Sequence, residues 1–199
     1  YPTDILLPGM KLGWDGTKNL NKTLISWASL TDPSSGNFEF KIEKWKVSHG
    51  LITDTGEPKS RTGPSYSSIV NITETETEIS HSLNIITNDS SVLVLRLWYI
   101  GTLQLSEYVG EEMHTLFYLP KDTCDSYNAC GDNTYCNTTS NCVCIAGFQP
   151  GGQYARGLTK SKPRCVRKSQ LSCHEREFKK MRNMKLPDTE YAIVDTNVG

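Results

Sequence analysis

Cys124-Asp-Ser-Tyr-Asn-Ala-Cys130-Gly-Asp-Asn-Thr-Tyr-Cys136-Asn-Thr-Thr-Ser-Asn-Cys142-Val-Cys144-Ile-Ala-Gly-Phe148, closed by Lys162-Pro-Arg-Cys165, holds six of the seven cysteines of a 199-residue chain. The 123 residues before it contain none. A segment this short cannot bury enough apolar surface to hold itself, so clustered cysteines read as staples. Zinc would need paired C-x2-C knuckles or Cys/His sets, whereas the spacings here are x5, x5, x5, x1 and x20 with no histidine between. A dithiol redox centre would need C-x-x-C, which is absent. Disulfides follow, and with them an oxidising compartment. Six cysteines allow about fifteen pairings, and spacing does not choose among them.

Working outward, composition sets the class. Hydrophobic residues make up 37% and charged residues 22%, enough for a modest core and unlike a disordered chain. A net charge of −1 gives no reason to expect nucleic acid as a partner. The longest apolar run, Ser91 to Ile100, is broken by Arg96 and is too short to span a bilayer. Acceptor sequons stand at Asn21, Asn71, Asn88 and Asn137, which suits a secreted glycoprotein. Cys173 has no obvious partner, and the expectation is a fragment whose matching cysteine lies beyond Gly199.

Upstream of the cysteines the pattern is that of strands. Phe38, Phe40, Ile42 and Trp45 alternate, placing Lys41, Glu43 and Lys46 toward water. From Leu51 to Tyr66 the punctuation by Gly56, Pro58, Gly63 and Pro64 predicts loops. Val70 to Leu83 reads as one alternating strand with an acidic, solvated face. Val92–Tyr99 and Leu103–Val109 flank Gly101 as a hairpin, and Thr115–Leu119 adds a strand. No helical periodicity is sustained, so the fold class is all-β. After the cysteines, the cations at 176, 179, 180, 182 and 185 form a basic strip read as solvated.

The order C-x5-C-x5-C-x5-C-x-C-x2-G-F resembles an epidermal-growth-factor-like module. The resemblance implies the pairs Cys124–Cys136, Cys130–Cys142 and Cys144–Cys165, with Gly147 and Phe148 as turn and aromatic plug. The acidic D-x-[DN]-E run of its calcium-binding subclass is missing before Cys124, where Leu119-Pro-Lys-Asp-Thr123 stands, so no metal is expected.

Beyond the cysteines, several stretches together resemble the S-domain of plant S-locus glycoproteins and S-locus receptor kinases. They are Tyr1–Gly13, Ser26–Phe38, Arg61-Thr-Gly-Pro64, Leu171-Ser-Cys173, Met184-Lys-Leu-Pro187 and Ala192-Ile-Val-Asp195. The resemblance implies four parts. Residues 1–20 would be the tail of a first bulb-type lectin domain, and 21–121 a second, degenerate lectin-like β-prism. Residues 122–168 would be the EGF-like module, and 169–199 the truncated start of a PAN/apple domain. Two departures stand out: Ser65 where the family carries Trp after Gly-Pro, and no Trp near Glu107. The mannose-binding Q-x-D-x-N-x-V-x-Y run is absent, so sugar binding is not expected.

What the resemblance implies for function is recognition of a small secreted cysteine-rich pollen peptide in self-incompatibility, by a homodimer of a single-pass receptor at the plasma membrane. The peptide would meet the stretches 45–60 and 83–114, with Trp45, Lys46, Arg96, Trp98, Tyr99 and Tyr108 as contact candidates, because aromatics and Arg dominate interface energetics. The plainer reading of each one taken singly is ordinary packing or solvation. ATP and Mg would enter only through a kinase domain outside these residues. A secreted S-locus-like glycoprotein without kinase, or an S-domain receptor of defence or development, is the alternative. For an extracellular enzyme there is little: His49, His81, His114 and His174 are scattered, and neither G-x-S-x-G nor H-E-x-x-H occurs, so no catalytic residue is named.

Overall fold

A tight turn at Thr55-Gly56, both residues at positive φ (49° and 89°), joins two of the strands that build this chain. The computed structural model describes residues 3–43, 49–62, 70–83, 91–137, 139, 141–151, 164–170 and 181. They fall into two compact units divided between Lys121 and Asp122.

The first unit runs β1 (Ile5–Leu6), β2 (Leu12–Asp15), β3 (Leu20–Lys22), β4 (Leu24–Trp27), β5 (Ser35–Glu43), β6 (His49–Asp54), β7 (Glu57–Arg61), β8 (Val70–Glu74), β9 (Glu78–Leu83), β10 (Ser91–Leu97), β11 (Leu103–Val109) and β12 (Glu112–Leu119). These form three antiparallel four-stranded sheets, ordered β1-β10-β11-β12, β3-β2-β9-β8 and β4-β5-β6-β7. Alternation turns one face of each sheet inward. Leu95, Leu97, Leu103 and Leu105 come from the first sheet, Leu12, Ile79 and Leu83 from the second, and Leu24, Phe40 and Ile52 from the third. All join one buried cluster. Three sheets around a single core make a bulb-lectin-like, three-sided β domain, and the chain is all-β.

Three sequence expectations need correction. Residues 1–20 are not the tail of a separate domain. Leu12, Gly13, Trp14 and Asp15 pair with β9, and Ile5 and Leu6 pair with β10, so this stretch is woven into two sheets of the same unit. Residues 51–61 are not loop. Gly56 belongs to the two-residue hairpin turn, where positive φ suits glycine, and Pro58 sits in β7, a sheet edge that needs no donor there.

Val70–Leu83 is not one strand. The Thr75 hydroxyl accepts from the Glu78 amide at 2.9 Å and folds the chain back at 75–77. The alternating Thr and Glu hide that turn, since neither is an ordinary turn marker, and the three glutamates therefore do not share one strand face. Two smaller points concern the remaining strands. β12 begins three residues earlier than Thr115, after a turn at Gly110. The hairpin at Gly101 stands as read, with Leu97 opposite Leu103.

In the second unit, β13 (Thr134–Cys136) pairs with β14 (Cys142–Cys144), and β15 (Phe148–Pro150) pairs with β16 (Cys165–Arg167). The sulfurs join Cys124 to Cys136, Cys130 to Cys142 and Cys144 to Cys165, with Cα separations of 5.9, 5.5 and 5.7 Å. Such spans lie in the usual range for disulfides. Cys136 and Cys142 face each other across the small hairpin, yet each bonds elsewhere, to Cys124 and Cys130 respectively. Gly147 takes φ of 88° in the turn before Phe148, and the Arg167 guanidinium lies over the Phe148 ring at 5.1 Å. Cys173, Asn88, the basic strip and nearly all of the expected PAN segment lie outside the described residues.

Candidate functional site

Three of the six contact candidates meet at one end of the first unit. Arg96 is the penultimate residue of β10, and Trp98 and Tyr99 enter the β10–β11 turn. That turn is fixed by bonds from the Gly101 amide to the Trp98 carbonyl and from the Trp98 amide to the Thr102 carbonyl, each 2.8 Å. The Trp98 indole N–H donates to Gln104 Oε1 at 3.2 Å, and Gln104 Nε2 in turn donates to Ser106 Oγ and Thr115 Oγ1. The Arg96 guanidinium lies 5.0 Å from the Trp98 ring centroid, and its Nε lies 3.2 Å from Asp4 Oδ2. Asp4 is itself anchored, because its carbonyl accepts the Leu97 amide at 2.8 Å.

The opposite wall comes from the β4–β5 connection. There Ser29 Oγ accepts the Asp32 amide at 3.1 Å and Asp32 Oδ1 accepts the Ser34 amide at 2.9 Å, shaping the loop from within. The Ser34 amide and hydroxyl hold the Asp32 carboxyl below its ordinary range. This loop carries Leu30, 62% exposed, and follows Trp27. Between the two walls lies a cavity of about 190 Å³ lined by Asp4, Trp27, Ser29, Leu30, Arg96, Leu97, Trp98 and Tyr99. Ile100, next in the turn after Tyr99, is 57% exposed.

The other candidates separate. Tyr108 stands on β11 opposite Val92 and Met113, four residues from Gln104 and so about 13 Å along the strand. Trp45 and Lys46 lie outside the described residues. Asp4, Trp27 and Leu30 were missed in sequence because they sit far from Arg96 along the chain, and only the sheet register brings them to it.

Other polar features resolve differently. A cavity of about 320 Å³ on the second sheet is lined by Lys11, Trp14, Asp15, Lys18, Lys22 and Glu78 among others, and in it Lys11 pairs with Glu78 and Lys18 with Asp15. Hydrogen bonds from Lys11 and Ser80 hold the Glu78 carboxyl below its ordinary range, while burial works weakly against them. His81 is fully buried in β9, and burial pushes it down to about 4, against the pull of Glu74 and with the push of His49. His114 lies exposed on β12, and His174 lies outside the described residues. The Sγ atoms of Cys130, Cys136 and Cys142 lie within 4.8 Å of one another. Each is bonded to another sulfur, which leaves no thiolate for a metal ion.

Asn21 and Asn71 are exposed on β3 and β8, the two edge strands of the second sheet. Asn137 is half-buried, and its Oδ1 accepts from the Thr139 amide, the Thr139 hydroxyl and the Asn141 amide at 2.8–3.0 Å.

The S-locus glycoprotein domain matches residues 52–152, half of the chain. The chain belongs to the S-locus glycoprotein domain family. Over its whole length it is 37% identical to the receptor-like serine/threonine-protein kinase SD1-7 of Arabidopsis thaliana, covering 26% of that protein. It is 36% identical to the G-type lectin S-receptor-like serine/threonine-protein kinase SRK of the same plant, covering 25%. It is also 36% identical to the S-locus-specific glycoprotein S6 of Brassica oleracea, covering 50%. The chain thus spans a quarter to a half of the curated relatives it matches. The S-locus glycoprotein match takes in the second half of β6, all of β7 to β15 and the first-unit hairpin that carries Arg96, Trp98 and Tyr99. Among the described residues, no helix is long and apolar enough to cross a membrane.

Proposed function

We propose that this chain is the extracellular ligand-recognition part of an S-domain receptor, binding a small secreted cysteine-rich peptide in the recognition of pollen. The observation that carries the reading is the hairpin end of the first unit, where Trp98, Tyr99 and Arg96 stand with Trp27 and Leu30 around one cavity. Aromatics and Arg on a rigid, hydrogen-bonded platform are the composition of an interface hot spot. The names of relatives that are S-receptor kinases support the receptor context.

In this reading the three-sided unit meets the peptide, and the disulfide-stapled unit after Asp122 is a spacer leading toward a PAN domain. Two receptors bridged by peptide carry the signal through a membrane helix to a serine/threonine kinase, which uses ATP and Mg and lies outside these residues. Glycans at Asn21 and Asn71 cover the edges of the second sheet. Calorimetric titration of the complete ectodomain with pollen-coat peptides tests the role. Saturable binding to one allelic peptide is expected, and silence toward every allele overturns it.

A second reading is a secreted S-locus-like glycoprotein without kinase, favoured by the 36% identity to a glycoprotein of which the chain covers half. Sequencing the transcript onward decides between them. A membrane span followed by kinase motifs supports the receptor, and an early stop supports the secreted form.

A further inference from the structure

We propose that the cavity between Leu30 and Tyr99 is a socket for one uncharged, apolar side chain of a protein partner, and that Asp4 makes it so by neutralising Arg96. The proposal deepens the recognition reading above and rests on it for the partner being a protein.

Size comes first. A cavity of about 190 Å³ compares with the roughly 150 Å³ that suffices for a benzene ring, so it takes a single aromatic or branched aliphatic side chain. Its apolar walls are Trp27, Leu30, Leu97, Trp98 and Tyr99. An entering side chain exchanges water for carbon on nearly every side.

Charge decides the class. Among the described residues, Arg96 is the lone cation in the lining, and by itself it would select a carboxylate. Asp4, only 13% exposed at its side chain, already lies 3.2 Å from Arg96 Nε, while the Trp98 ring faces the same guanidinium. The pair has no net charge to offer. A partner carboxylate would approach Asp4 as well as Arg96, and a partner ammonium would meet Arg96. Either would shed its hydration for no unpaired opposite charge. A neutral side chain incurs neither cost. Asp4 is thus a specificity-determining residue, and because its backbone carbonyl is bonded to the Leu97 amide, its position does not depend on its carboxylate.

The test uses the whole 199-residue chain and two small probes, N-acetyl-phenylalanine amide and N-acetyl-phenylalanine, followed by the Trp98 indole N–H and Leu30 methyl signals in NMR titrations at pH 7. The amide should bind saturably and at least tenfold more tightly than the acid. Asp4→Asn should reverse that order, whereas Arg96→Gln, which leaves the Asp4 carboxylate uncompensated, should keep or widen the preference for the amide. If Asp4→Asn fails to fold, Arg96→Gln alone carries the comparison. Absence of any saturable shift with the amide, equal binding of both probes to the unaltered chain, or a preference for the amide that Arg96→Gln abolishes overturns the proposal. Probe binding in a protein that ignores every pollen peptide would refute the recognition reading while leaving the socket standing. Peptide binding without probe binding would do the reverse.

Discussion

The phenyl ring of Phe38 lies 2.7 Å from where a Cβ on Gly101 would stand, with Lys59 Nζ 3.1 Å from the same point. The tip of the β10–β11 hairpin is therefore closed onto the third sheet, and Lys59 in turn sits 4.2 Å above the Phe38 ring. Gly101 also holds φ of 77°, where a side chain is strained. Gly101→Ala should cost about 2–3 kcal/mol, combining left-handed strain with overpacking. Urea unfolding measures it, and a cost under about 0.5 kcal/mol would show that the hairpin does not rest on Phe38 as described.

Leu95 is fully buried at the centre of the first sheet, inside the cluster that all three sheets share. Leu95→Ala should destabilise the first unit by about 2–5 kcal/mol. Because the core is common, strands of all three sheets should lose amide protection together. Loss confined to β10 and its neighbours would argue for three independently stable sheets.

His81 predicts a pH dependence whose sign can be worked out. Its ordinary value of 6.5 falls to about 4 in the fold because burial disfavours the cation. Between those two values the unfolded chain binds a proton that the folded chain refuses, so stability falls as pH drops from about 6.5 to about 4. The loss approaches about 3 kcal/mol at the acid end. His81→Gln should flatten this part of the stability–pH curve, and an unchanged slope in that variant would assign the dependence to other groups.

The bridge between Cys130 and Cys142 closes a loop of 12 residues. Replacing both by Ser should remove about 3 kcal/mol from the second unit. Protease susceptibility should then rise after Asp122 while residues 3–43 and 91–119 keep their protection. Simultaneous loss in both units would mean that they do not fold separately.

How much of this was legible in sequence varies by feature, for physical reasons. The all-β class and the hairpin at Gly101 came through because alternation and a turn glycine are local signals. The β8–β9 reversal did not, because a Thr75 hydroxyl makes the turn without Gly, Pro, Asn or Asp. The place of residues 1–20 was misjudged because membership of a sheet is decided by partners at 78–83 and 91–97, far along the chain. Arg96, Trp98 and Tyr99 could be picked by residue type. Their grouping with Asp4, Trp27 and Leu30 depends on sheet register, which residue types alone do not display, and the role of Asp4 is visible only at 3.2 Å from Arg96.

The central claim is that the hairpin end of the first unit is the recognition surface. Hydrogen–deuterium exchange on the complete ectodomain, with and without a cognate pollen-coat peptide, tests it most directly. Slowed exchange at residues 27–32 and 96–102 is the predicted result. Unchanged exchange there, with new protection confined to other faces of the unit, would contradict it.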